Sequence, residues 1–152
     1  MAKLTVRIVT LEPMRLAGAN GFGREPEVLA WEKLLTWAKG NGLVKENTRY
    51  FGFNNPSPSA TSPDYGYDQW MTVGPEVKGQ GDIRIWEFPG GTFAVTRCKL
   101  DTIQQTWQEL LSWAESNKYR IAPPQMLEEC IEAPGGPWDQ MVFDLYLPIE
   151  EV

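Results

Sequence analysis

The chain has 152 residues, 14 Lys and Arg against 20 Asp and Glu, a formal charge of −6 and no histidine. An acidic balance without a Lys/Arg cluster excludes a nucleic-acid face, and the missing histidine excludes His-based triads, a His general base and most zinc sites. No apolar run approaches the roughly 20 residues that span a bilayer, no signal-peptide core opens the sequence, and Cys98 and Cys130 are too few and wrongly spaced for a disulfide framework or metal knuckle. These features predict a reduced, cytoplasmic chain with neither membrane nor nucleic acid as a direct partner.

Leu4 to Leu11 alternates as a strand does, and Pro13 ends it. Gly18 to Gly23, rich in Gly and Asn, reads as a loop. It lacks the Lys-Ser/Thr of a phosphate loop, so no cofactor is expected. Pro26 suits a first helical turn, where its missing N–H is no loss. Val28, Trp31, Leu34, Leu35 and Ala38 then share one helical face, and Gly40 or Gly42 closes the helix. Trp37 lies about 120° from that stripe, at about 100° per residue. Thr48 to Asn54 is a short strand, 54–63 a proline-rich loop, and Tyr65 to Val73 a strand stopped by Gly74-Pro75. Lys78 to Asp82 joins the halves.

Ile83 to Phe88 opens the second half as a strand, followed by a Pro89-Gly90-Gly91 turn and a strand from Thr92 to Cys98. Asp101 with Gln104 has the form of a capping box. Ile103, Trp107, Leu110, Leu111 and Ala114 make a buried stripe, Trp113 lies off it, and Asn117 can stop the helix in the left-handed conformation. Strands follow at Gln125–Ile131 and Met141–Leu147, with a loop over 132–137 between them.

This order is a repetition. Trp31-Glu32-Lys33-Leu34-Leu35-Thr36-Trp37-Ala38 returns as Trp107-Gln108-Glu109-Leu110-Leu111-Ser112-Trp113-Ala114, an offset of 76. The same offset carries Tyr67–Val73 onto Phe143–Ile149, and Val6-Arg7-Ile8 meets Ile83-Arg84-Ile85 with a one-residue slip. Periodicity of this kind predicts the architecture before any local reading does. The expectation is a single α+β domain over 1–152, a duplicated strand–helix–strand–strand module with half-repeats 1–77 and 82–152. Its two pseudo-symmetric halves would share antiparallel sheet and enclose a central cleft.

Seven Trp, five Tyr and six Phe are unusually many rings for such a chain, and with the acidic balance they favour a cavity for flat or cationic molecules. Trp31 and Trp107, central on their stripes, read as core. Alternation places Met126, Glu128 and Cys130 on one strand face and Leu127, Glu129 and Ile131 on the other. Phe143, Leu145 and Leu147 form the apolar face of the last strand, leaving Asp144 and Tyr146 opposite. If that apolar face packs on the helices, Trp70, which the offset maps to Tyr146, faces the cleft together with it. Tyr67, Trp37 and Trp113 are further candidate ligand contacts, and Trp138 either lies over the cleft or faces solvent.

Phe88-Pro89-Gly90-Gly91-Thr92-Phe93-Ala94-Val95, Trp107 through Trp113, Leu127-Glu128-Glu129-Cys130, Phe143 to Ile149 and Tyr65-Gly66-Tyr67-Asp68, in this order, resemble the GyrI-like small-molecule-binding domain. That domain is also the effector-binding half of AraC- and MerR-type multidrug regulators. The resemblance implies an aromatic cleft floored by one buried carboxylate that takes up lipophilic cations. Glu128 is similar in position to that carboxylate, with Cys130 standing where a tyrosine is common; Glu129 is the alternative. A lipophilic, often cationic small molecule is the implied partner. The oligomeric state is left open, with a monomer favoured. Two further functions compete with binding. One is hydrolysis of reactive cyclopropane-bearing compounds, for which Ser62 to Trp70 resembles the hydrolytic branch; Glu128 would be its acid/base, assisted by Tyr65 or Tyr67. The other is gyrase-inhibitor-like interaction with a protein.

Overall fold

The computed structural model describes residues 4–55, 63–123, 125–132, 134 and 136–151. The elements run β1 (Arg7–Leu11), β2 (Met14–Gly23), α1 (Pro26–Gly40), β3 (Tyr50–Asn54), β4 (Tyr65–Thr72), β5 (Arg84–Phe88), β6 (Gly91–Lys99), α2 (Ile103–Ser116), β7 (Tyr119–Ile121), β8 (Leu127–Glu132) and β9 (Val142–Glu151). All strand pairs described below are antiparallel, so the α+β expectation is borne out. Residues 56–62 of the expected 54–63 loop lie outside the described residues. No helix is long and apolar enough to cross a membrane, among the described residues.

The chain forms two compact units, residues 14–88 and residues 1–13 with 89–152. The half-repeats drawn from the sequence ran 1–77 and 82–152. The bounds differ because β5 pairs with β2 and so joins the 14–88 unit, whereas β1 pairs with β6 and joins the other.

In the 14–88 unit the strand order is β3-β4-β2-β5, and α1 packs on β2 and β4. Pro26, Ala30, Trp31, Leu34 and Ala38 are buried; Trp31, Leu34 and Ala38 belong to the expected stripe, whereas its Val28 and Leu35 are half-buried and Ala30 takes an inward position instead. Leu34 is fully buried, which stabilises by roughly 1.5–3 kcal/mol relative to exposure. The expected Gly18–Gly23 loop is instead the second half of the ten-residue strand β2. Its glycines reflect crowding on both faces: a Cβ at Gly18 would overlap the Trp70 ring, and one at Gly21 would overlap the first turn of α1. Glycine inside a strand often marks such a close approach.

In the other unit the order is β1-β6-β9-β8, with β7 on the same edge of β9 as β8. The strand expected from Leu4 begins at Arg7. β7 has three residues, too few to show alternation. β9 continues past Leu147 through Pro148; pairing with β8 ends at Tyr146 and pairing with β7 begins at Ile149, so the missing N–H falls between two partners. Helix α2 packs on β6, β7 and β9, burying Thr106, Leu110 and Ala114 while Trp107 is half-buried. The capping box does not form. Asp101 sits in a 3-10 turn over Leu100–Thr102, and Thr102 occupies the cap, but its hydroxyl donates back to the Lys99 carbonyl at 3.3 Å and no side chain caps either helix start. Asn117 is not left-handed (φ −101°); its side-chain amide donates to the Trp113 carbonyl at 2.8 Å, and Lys118 takes the left-handed position at φ 62°.

Candidate functional site

The register fixes which side chains share the sheet face turned away from α2. Glu129 pairs with Asp144 and Leu127 with Tyr146, while Arg97 and Val95 flank the same two positions from β6. Arg7 of β1 lies opposite Val95. This face therefore carries Arg7, Arg97, Asp144, Glu129 and Tyr146. Asp144 is 3% exposed and accepts hydrogen bonds from Arg7 Nη2 at 3.0 Å and from Arg97 Nε and Nη2 at 2.8 and 3.1 Å. The Asp144 hydrogen bonds and charge raise the Arg97 pKa further, so that guanidinium is always charged. Glu129 is 5% exposed and accepts the Tyr146 hydroxyl hydrogen at 2.6 Å, a charge-assisted bond. Tyr146 in turn packs edge-on against Phe93.

Glu128 points the other way. It pairs with Leu145 and faces α2, where it accepts the Trp107 indole N–H at 2.7 Å. Alternation separated the two glutamates correctly, but only the pairing with β9 shows that Glu129 shares a face with Tyr146.

The corresponding face of the 14–88 unit is aromatic. Trp70, Phe51 and Phe53 occupy it from β4 and β3, Trp86 and Phe88 from β5. Trp86 is the hub, with ring centroids 5.3 Å from Trp70, 5.9 Å from Phe53 and 5.2 Å from Phe88. Arg84 lies 5.7 Å from the Trp70 ring and 3.6 Å from Asp68. Asp68, 2% exposed, also accepts from Asn20 at 2.7 Å and Asn55 at 3.3 Å. The offset already aligned Arg7 with Arg84 and Asp68 with Asp144, a signal from which these clamps were readable. The Trp86 hub carried no such signal.

The other expected site residues lie elsewhere. Tyr65 donates its hydroxyl to Glu27 of α1, at 2.6 and 2.9 Å to its two oxygens. Tyr67, on the α1 side of β4, packs its ring over Gly52. Neither unit brings Glu128, Tyr65 and Tyr67 together. Trp113 stacks on Tyr119 of β7. Trp37 is half-buried at the edge of α1, and Trp138, in a 3-10 turn over Trp138–Gln140, is 37% exposed.

Burial pushes the Cys98 thiol up to about 11, with the Glu128, Asp144 and Asp101 charges adding and a Thr106 hydrogen bond opposing. Burial and the Glu129 charge push Cys130 up to about 12. Both stay protonated at neutral pH and are poor nucleophiles. Among the described residues, no three His, Cys, Asp or Glu groups stand together as metal ligands do.

A sequence model of the family described as GyrI-like small molecule binding domain matches residues 4–150. The chain belongs to that family. No curated protein sequence matches it. Among solved structures, this GyrI-like chain is similar to the C-terminal domain of EcmrR, at 13% identity and a TM-score of 0.76, covering 98% of this chain and 99% of that one. It spans 58% of the EcmrR chain in its DNA complex. A hydrolase encoded by lin2189 from Listeria innocua has 12% identity and a TM-score of 0.68, with 97% and 93% covered. SAV2435, bound to tetraphenylphosphonium, has 10% identity and a TM-score of 0.55, with 97% and 94% covered. At these identities the likeness is one of fold.

Proposed function

We propose that the chain captures lipophilic, cationic aromatic compounds, with Glu129 as their counter-charge. The observation that carries this reading is the Glu129 carboxylate, 5% exposed and held by the Tyr146 hydroxyl at 2.6 Å on the face away from α2. A cation arriving on this face pairs with the carboxylate, and a ring face adds roughly 0.5–2 kcal/mol by cation–π attraction. The family's small-molecule binding and the tetraphenylphosphonium held by SAV2435 support the ligand class. Trp70 and Trp86 supply ring faces for ligands of the same class.

Calorimetric titration with tetraphenylphosphonium tests this. Glu129→Gln keeps the shape and removes the charge, and truncating one member of a buried charge pair costs about 2 kcal/mol or more, so Kd is expected to rise about 30-fold or more. Glu128→Gln, on the α2 side, leaves affinity within about twofold, below what half a kcal/mol would change. Neutral triphenylphosphine oxide binds wild type and Glu129→Gln alike. Unchanged tetraphenylphosphonium affinity in Glu129→Gln would overturn the assignment.

The same pair favours a second reading, hydrolysis, the activity by which the Listeria innocua neighbour is described. A buried carboxylate hydrogen-bonded to a phenol is an acid/base pair. Glu129 takes a proton from water as its oxygen bonds to a strained cyclopropane carbon. The ring C–C bond breaks, the Tyr146 hydroxyl protonates the departing carbon, and Glu129 returns the proton taken from water to the Tyr146 phenolate across their hydrogen bond. Mass spectrometry showing more than one equivalent of ring-opened product, lost in both Glu129→Gln and Tyr146→Phe, supports turnover; product at or below one equivalent removes it.

A further inference from the structure

The helix edge that carries the second tryptophan is finished differently in the two units. Trp113 of α2 is covered by Tyr119 of β7, the rings within 16° of parallel and 5.6 Å apart. Trp37 holds the same place on α1, but residues 43–49, the stretch that follows, form no strand. A hollow of about 510 Å³ borders Trp37, lined also by Glu32, Lys33, Gln80, Asp82 and Ile83. We propose that this hollow is a second binding site, for planar aromatic cations, which stack on Trp37 as Tyr119 stacks on Trp113.

The chemistry of the rim and floor selects that class. Ile83 is 6% exposed and gives an apolar floor. Trp37 is half-buried, so its indole is anchored while part of the ring meets the hollow, and tryptophan is the strongest of the aromatic cation–π partners. Lys33 donates its ammonium to the Asn20 carbonyl at 3.0 Å, which ties its charge to β2. Glu32 and Asp82, both exposed, leave the rim acidic. The volume falls within the roughly 300–1,000 Å³ of small-molecule pockets. The hollow is open to solvent, so it favours flat molecules that need only one face covered and binds them more weakly than an enclosed site would. Every bordering residue belongs to the 14–88 unit, and Glu129 plays no part.

Ethidium, a planar cation, is the probe, titrated against the full chain by tryptophan fluorescence and calorimetry. Glu129→Gln is expected to keep an ethidium-binding step. Adding Trp37→Ala should weaken that step about tenfold or more, the loss of about 1.4 kcal/mol of ring and cation–π attraction. Glu32→Gln with Asp82→Asn leaves the indole and the fold untouched and should weaken ethidium about threefold while flattening its salt dependence. Two results would each overturn the proposal: no ethidium step in Glu129→Gln, or the same affinity with and without Trp37 in a chain whose circular dichroism is native. Failure here is separable from failure of the Glu129 reading, because tetraphenylphosphonium is not planar and does not stack on Trp37.

Discussion

Each unit has a buried aspartate at the middle of its sheet, but the two are held by different chemistry. Asp144 is gripped by two guanidinium groups, from Arg7 and Arg97. Asp68 has Arg84 at 3.6 Å and takes its shorter bonds from Asn20 and Asn55. The offset of 76 aligns Asp68 with Asp144 and Trp70 with Tyr146, and in the sheet registers Asn20 pairs with Asp68 as Arg97 does with Asp144. Beside them the divergence continues. Tyr146 meets Glu129, whereas Trp70 keeps company with Phe53 and Trp86, and its indole N–H is buried with no hydrogen-bond partner among the described residues. One unit thus offers charge on the face away from its helix, the other offers rings. The two faces, each turned away from its own helix, therefore differ in kind although the pairing around each aspartate is alike.

The largest test of this contrast is stability. Asp144→Asn replaces a buried carboxylate that accepts three charge-assisted bonds with an amide whose N–H₂ opposes a guanidinium. A loss of about 2–4 kcal/mol is expected in urea denaturation. Asp68→Asn keeps amide partners that can turn to suit it and should lose about 1–2 kcal/mol. Equal losses would break the comparison, since they would mean that the second arginine adds nothing.

Much of this frame is legible in local spacing. The helical stripes of α1 and α2 follow from residues three and four apart, and most strands follow from alternation. Three features are not local. β2 was unreadable because Gly18 and Gly21 answer to Trp70 and to α1, distant in sequence. The choice of Glu129 over Glu128 depends on pairing with β9, and an alternating pattern divides two faces without saying which one a helix covers. Trp113 reads like Trp37 in sequence, yet the three residues of β7 put Tyr119 over one ring only.

A smaller test lies at the helix ends, where the units nearly agree. Asn41 and Asn117 each donate a side-chain amide to the carbonyl of the tryptophan four residues earlier, both at 2.8 Å. The next residue is left-handed in both, Gly42 at φ 67° and Lys118 at φ 62°. Glycine adopts that conformation freely, whereas a residue with a Cβ is strained by about 1 kcal/mol. Lys118→Gly should stabilise the chain by about 0.5–1 kcal/mol, and Gly42→Ala should destabilise it by about 1 kcal/mol. Thermal denaturation of the two variants checks both signs; a loss in Lys118→Gly would show that the lysine side chain contributes more than its backbone costs.

The smallest effect concerns the thiols, which only the α2 unit possesses. Cys98 titrates at about 11 in the native chain and Cys130 at about 12, against 9.0 for an ordinary thiol, chiefly because burial disfavours the thiolate. Below pH 9 the thiols are protonated in both folded and unfolded chains and contribute no pH dependence. Between 9 and about 11 the unfolded chain releases protons that the native chain retains, so stability falls as pH rises through that window. Urea midpoints measured from pH 8 to 11 are expected to decline less steeply in Cys98→Ser/Cys130→Ala than in wild type. All other groups are common to both chains and cancel in the difference. Alkylation gives an independent reading at pH 8: a thiol shifted by two pH units holds about a hundredfold less thiolate than an ordinary one, so native Cys98 should react correspondingly slowly. Asp144→Asn, which loosens the strands beside both cysteines, should speed that reaction, and an unchanged rate would mean that the arginine clamp does not govern opening of its own sheet.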